Sequence, residues 1–217
     1  MIKKILIANR GEIAVRVAKA CREMDITSVA IYSDADKSSL HVRVVDEAYH
    51  IGSSVASESY LDGDKILALA KKIGADAIHP GYGFLSENSE FIKKCENANI
   101  IFIGPSSQSV EMMGNKTRAR TIMKQNNVPI VPGTTEGIKS YEDAEKISLE
   151  IGLPVMLKAA SGGGGKGMRK IDKIEDLKSA ISAAQNEAKK AFGDDTVYIE
   201  KFVENPKHIE VQILADK

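Results

Sequence analysis

The sequence predicts an α/β protein in two parts, a parallel-sheet domain followed by a small α+β unit. Three observations predict it. The first hundred residues alternate β-rich runs with apolar residues at helical spacing; Pro132, Gly133 and Gly137 mark a boundary; a shorter series of helices and strands follows.

Taken in order, Ile2 to Ala8 is a β-rich run, and Ile13, Val17, Cys21 and Met24 then recur at helical spacing after Gly11. Thr27 to Tyr32 returns to strand character. Ile66, Leu69, Ala70 and Ile73 mark a second helix, and Asp76 to His79 and Ile100 to Ile103 are further short strands. This is the grammar of βαβ units in a Rossmann-like parallel sheet. The turn after the first strand, Asn9-Arg10-Gly11-Glu12, offers one glycine where a dinucleotide fingerprint needs three, so a nicotinamide cofactor is not expected. A helical stretch runs to Gln125. Ser140 with Asp143 then resembles a capping box, opening a helix with Ala144, Ile147 and Ile151 on one face. Leu153 to Lys158 reads as a strand, Ile174, Leu177, Ile181, Ala184 and Ala188 as a helix, and Val197 to Val203 as a strand. In HIEVQIL, His208, Glu210 and Gln212 alternate with Ile209, Val211 and Ile213, which places the polar side chains on one face of a last strand.

Composition narrows the function classes. Among 217 residues, thirty basic and thirty acidic side chains cancel, which argues against a nucleic-acid or membrane surface. No apolar run reaches spanning length and MIKKILIANR lacks a signal-peptide layout, so a cytoplasmic location is expected. Cys21 and Cys95 fall in predicted helices, too few for a disulfide framework or metal cluster; packed, reduced thiols are the simpler reading.

The chemistry concentrates around KAASGGGGKGMR. Ser161-Gly162-Gly163-Gly164-Gly165-Lys166-Gly167 follows a strand that ends at Lys158. Glycines let backbone N–H groups approach an anion without a Cβ in the way, and Lys158 and Lys166 add positive charge, so phosphate is the natural guest. A flexible linker is the plain alternative. The loop is not a Walker A motif, because Lys166 is followed by Gly167 instead of Ser or Thr. With so many glycines in a row, the loop from Ser161 to Gly167 is expected to be mobile. Glu200 sits where a strand leaves towards Asn205-Pro206, and His208 could equally be a solvated strand histidine.

Nine ordered segments then carry a family resemblance: IANRGEIAVRVAKACREM, YSDADKSSLHV, DEAYHIG, GADAIHPGYGFLSEN, FIGPS, MGNK, VPG, KAASGGGGKGMR and IEKFVENPKHIEVQILAD. Over its entire length the chain resembles the N-terminal half of biotin carboxylase, an ATP-grasp enzyme. The resemblance implies a pre-ATP-grasp domain over 1–114, a connecting helix and linker over 115–136, an ATP-grasp lid over 137–204 and the first strand of a second lobe over 205–217. It implies that Lys116 and Lys158 contact nucleotide phosphates and that Gly162, Gly163, Gly164, Gly165, Lys166 and Gly167 close over them. Glu200 and backbone near Lys201 and Val203 would read adenine, and His208 would lie near the ribose and phosphates; Glu210 shares its strand face.

The implied reaction is the first half-reaction of acetyl-CoA carboxylase or a related carboxylase. ATP with Mg²⁺ activates bicarbonate as carboxyphosphate, and biotin on a carrier protein is carboxylated. The implied partners are the biotin carboxyl carrier protein, a carboxyltransferase and a second copy in a homodimer. The family's metal-binding glutamates, bicarbonate-binding arginine and general base lie around a Glu-x-Asn-x-Arg segment that these 217 residues do not contain. The resemblance therefore places no catalytic or metal-binding residue in this chain, and the chain alone is expected to be inactive. Another ATP-grasp ligase would share the lysine and glycine logic but not HPGYGFLSEN with KHIEVQ. A non-enzymatic interaction module would use the first domain as a dimerisation surface, with Lys19 and Glu23 on its first helix, where solvated charge is an equally good reading.

Overall fold

The computed structural model describes residues 1–161, 167–211 and 213–215. They form two compact units, Met1–Met112 and Met113–Lys217.

The first unit runs β1 (Lys4–Ile7), α1 (Gly11–Glu23), β2 (Thr27–Ser33), α2 (Leu40–Val44), β3 (Glu47–Gly52), α3 (Gly63–Lys72), β4 (Ala77–His79), α4 (Ser89–Asn97) and β5 (Ile101–Phe102). Its five strands are all parallel, in the order β3-β2-β1-β4-β5. Side chains alternate across β1: Ile5 and Ile7 join Ala14, Ala18 and Cys21 in one core, and Leu6 and Ala8 join Ile31, Ile66, Ile78 and Phe91 in another. A sheet packed on both faces needs strands that are apolar at nearly every position, and this one has them. Both cysteines are buried free thiols, and burial pushes the Cys95 thiol up to about 11. β3 and α2 are not announced by periodicity, because their side chains are mostly half-buried.

The order reverses between β1 and β4, and the loops leaving these two strands are stapled together. Asn9 Nδ2 donates to Pro80 O at 2.7 Å and to Tyr82 O at 2.8 Å. Gly81 has φ +64°, and a Cβ there would lie 2.6 Å from Asn9 Nδ2, so the close approach requires glycine. The buried ring of His41 holds the start of α1: Nδ1 accepts from Gly11 N at 3.4 Å while Nε2 faces Ile31 O at 3.3 Å, the arrangement of a neutral imidazole.

α5 (Ser107–Gly114) carries the chain across the boundary, and the second unit continues with α6 (Lys116–Gln125), α7 (Tyr141–Ile151), β6 (Val155–Ala159), β7 (Arg169–Ile171), α8 (Leu177–Phe192) and β8 (Val197–Lys201). Its sheet is antiparallel, in the order β7-β6-β8. Ser140 caps α7 by accepting from Asp143 N at 3.1 Å. Val155, Leu157, Ile171, Val197 and Ile199 pack on one face against Ala144 of α7 and Leu177, Ile181 and Ala184 of α8. The residues between them, Met156, Lys158, Tyr198 and Glu200, therefore share the opposite face.

The strand expected at 208–214 is not formed among the described residues. Ile209, Val211, Ile213 and Leu214 are all at least 80% exposed. A strand needs a neighbour to take its backbone hydrogen bonds, and no described strand lies beside this segment. Alternation in sequence cannot supply that neighbour. No helix among the described residues is long and apolar enough to cross a membrane.

Candidate functional site

The polar face of the second sheet is built from three elements. Asn115 opens α6 by accepting from Arg118 N at 3.0 Å, which starts the helix at Lys116 and puts Arg120 one turn further along the same side. Lys116 N reaches Ala160 O at 3.4 Å, just beyond β6. β6 contributes Lys158 and β8 contributes Glu200, offset by one pair in the antiparallel register.

Glu200 is the centre of the cluster. Its Oε1 accepts from Lys158 Nζ and its Oε2 from Arg120 Nη1 at 3.3 Å. Lys116 belongs to the same field: burial holds its ammonium below the usual lysine range, the charge of Lys158 lowers it further and Glu200 pulls it back. Three cations thus converge on one carboxylate in a partly desolvated place. The surplus positive charge suits a polyanion, and lysine ammonium groups suit phosphate oxygens. Tyr198 floors the cluster beneath Arg120, 5.7 Å from guanidinium carbon to ring centre, and burial pushes its phenol up to about 12.

Of the residues expected from sequence, Lys116, Lys158 and Glu200 meet here. Gly162–Lys166, and with them the expected mobility of the glycine loop, lie outside the described residues. The loop's flanks are anchored. Ser161 Oγ donates to Asp194 Oδ2 at 2.6 Å, Ala160 N donates to Thr196 O at 2.9 Å, and Gly167 has φ +70° against Ala159, where an added Cβ would sit 3.0 Å from the Ala159 Cβ. The Ser161 hydroxyl, followed by Thr196, holds the Asp194 carboxyl below its ordinary range.

Lys201 turns elsewhere. Its Nζ donates to Gly152 O and Leu153 O at 2.9 and 3.0 Å, and its backbone N–H donates to Pro132 O at 2.7 Å. Val203 is half-exposed beyond the end of β8. His208 Nε2 bonds Glu210 Oε1 at 2.8 Å, and both side chains are 80% exposed, so the pair contributes little. Arg120 and Tyr198 are not anticipated by the sequence reading. The available signal is the four-residue spacing of Lys116 and Arg120 along one helix. Among the described residues, no group of three or more His, Cys, Asp or Glu side chains gathers as a metal site.

Fold and cluster together define a parallel α/β domain joined to an antiparallel unit with a phosphate-suited face, the layout of an ATP-binding ligase. A profile described as "Biotin carboxylase, N-terminal domain" matches residues 1–110, and one described as "Carbamoyl-phosphate synthase L chain, ATP binding domain" matches residues 115–217. The chain belongs to the biotin carboxylase family. It is 53% identical over 216 residues to Biotin carboxylase 1 of Bacillus subtilis, covering 100% of this chain and 48% of that protein. The structure of a biotin carboxylase–beta-gamma-ATP complex from Campylobacter jejuni superposes with a TM-score of 0.90 at 47% identity, over 95% of this chain and 46% of that one. The biotin carboxylase domain dimer of Hydrogenobacter thermophilus 2-oxoglutarate carboxylase, in complex with MgADP, ADP and bicarbonate, gives 0.88 at 48% identity, over 94% and 45%. The chain spans about half the length of the relatives it matches.

Proposed function

We propose that this chain is the nucleotide-binding half of a biotin carboxylase, with the phosphates of ATP held in the second unit by Lys116 and Lys158. The observation that carries the reading is the convergence of three cations on Glu200, which leaves the face short of negative charge. Triphosphate supplies that charge, and Mg²⁺ would accompany it. Gly162 to Gly167 are assigned to the phosphates on sequence, Glu200 and Val203 to the adenine. We place no base contact at the Lys201 N–H, because it already donates to Pro132 O. His208 near the ribose rests on the family resemblance.

In the proposed reaction a bicarbonate oxygen attacks the γ-phosphorus, the bond to the bridging oxygen breaks and ADP leaves, giving carboxyphosphate. Its carboxyl group then passes to a ureido nitrogen of biotin on a carrier protein. Lys116 and Lys158 suit the first step because phosphoryl transfer depends on positioning and charge neutralisation. Acetyl-CoA is the first acceptor to try, on the 53% identity to Biotin carboxylase 1, and pyruvate the second, on the 51% identity to a pyruvate carboxylase chain of Methanothermobacter thermautotrophicus. A cytoplasmic homodimer working with a carboxyltransferase completes the proposal, supported by the dimeric H. thermophilus domain.

Calorimetric titration of the intact protein with ATP tests the site. Lys158→Gln removes one charge-assisted contact, worth on the order of 2–3 kcal/mol, so ATP should bind roughly 30- to 150-fold more weakly. An unchanged dissociation constant would remove Lys158 from the site.

A further inference from the structure

The phosphate-binding reading leaves one difficulty, and Arg120 answers it. Lys158 cannot serve a phosphate while it serves Glu200. The Glu200 side chain is only 12% exposed, and its two oxygens are divided between Lys158 and Arg120. If Lys158 left and nothing else stayed, a buried carboxylate would be stranded without a cation, which is strongly unfavourable.

Arg120 is built to stay. Its Nε donates to Thr134 O at 2.8 Å and its Nη2 to Val131 O at 2.7 Å, while Nη1 faces Glu200 Oε2 at 3.3 Å. The plane of the guanidinium lies over Tyr198, and the side chain is 11% exposed. Two carbonyls and an aromatic ring fix the group on its far side, so it cannot follow Lys158 towards an incoming anion, and it keeps its charge at any working pH. Lys158, at the end of a flexible stem and 25% exposed, can move.

We propose that Arg120 is a positioning residue that retains Glu200 while Lys158 exchanges that carboxylate for a phosphate. The inference rests on the phosphate-binding reading of the cluster and adds a residue and an order of events to it. Nucleotide entry is an exchange of partners at Lys158, and Arg120 sets its cost.

The test uses sodium tripolyphosphate, which has no base or sugar, beside ATP, titrated calorimetrically into the intact protein at fixed ionic strength, with a melting curve for each variant. Arg120→Met should weaken tripolyphosphate binding about tenfold, because Lys158 must then remain with Glu200. Arg120→Lys should come within about threefold of the parent. Glu200→Gln should tighten binding by freeing Lys158. The decisive variant is Arg120→Met with Glu200→Gln: removing the carboxylate removes the need for its partner, so binding should return to within about threefold of Glu200→Gln alone. A merely structural arginine would leave the double variant as weak as Arg120→Met. That result, or unchanged binding in Arg120→Met, overturns the inference and leaves the phosphate site standing. A parent protein that binds neither tripolyphosphate nor ATP removes the site and the inference together.

Discussion

The two sheets differ in what lies on their faces. In the first unit both faces of the sheet carry cores, with Ile5 and Ile7 on one side of β1 and Leu6 and Ala8 on the other. In the second unit Val155, Leu157 and Ala159 are buried, while Met156 and Lys158 between them are only half-buried. A sheet covered on both sides keeps its polar chemistry at strand ends, as the Asn9 staple shows. A sheet covered on one side has a whole face for it, and there the lysine, the glutamate and the tyrosine sit.

The contrast is sharpest between neighbours on β6. Leu157 is fully buried, and Leu157→Ala should destabilise the second unit by about 2–5 kcal/mol in urea denaturation. Lys158→Gln, one residue on, should cost less than about 1 kcal/mol of stability while it weakens ATP binding. If both changes destabilise equally, the polar face is structural and the comparison fails.

A smaller effect is expected at the strand ends of the first unit. Asn9→Ala leaves the carbonyls of Pro80 and Tyr82 without their buried donor and should cost about 1–3 kcal/mol, read as a lower urea midpoint. Nucleotide affinity should not follow it if the phosphate site belongs to the second unit.

Acid should separate the units most gently. Burial holds His41 and His79 of the first unit below the ordinary histidine range. Around His41 lie the Gly11 N–H, the Ile31 carbonyl and the charges of Asp36 and Arg10. Below pH about 6.5 the unfolded chain takes up protons that these folded rings refuse. Their contribution is therefore complete above that pH and is lost as pH falls through the depressed values. Hydrogen exchange corrected for intrinsic rates, compared at pH 7.5 and 5.5, should show protection falling in β1 and β2 more than in β6 and β8. Equal loss in both units would refute the assignment.

Sequence reading reaches the parts of this fold that local signals specify. The helices follow apolar spacing, and the Ser140 cap follows its own side-chain chemistry. It reaches less where pairing decides. β3 and β7 are short edge strands whose identity depends on β2 and β6, and the 208–214 segment alternates like a strand without becoming one among the described residues. The site shows the same division. Lys116, Lys158 and Glu200 are legible through motif and resemblance. Arg120 is not, because only the packing of α6 over β8 distinguishes it from Arg118, which lies on the same helix at a different point of its periodicity.

Arg120's two carbonyl partners belong to a segment with another consequence, for how this sheet behaves among its own copies. β8 is an outer strand, and an open outer strand is a template for intermolecular pairing. Here it is already occupied: Lys201 N donates to Pro132 O, Thr134 N to Ile199 O and Ile138 N to Val197 O. Gly133, bridged to Glu200, lies so close to β8 that any side chain would collide with the strand's backbone. The opposite margin, β7, is three residues long and displays Arg169 and Lys170, charges that discourage stacking. The linker between two recognisable elements is in effect a seal on the sheet, and a bulky residue at position 133 would open a seam along which chains could aggregate.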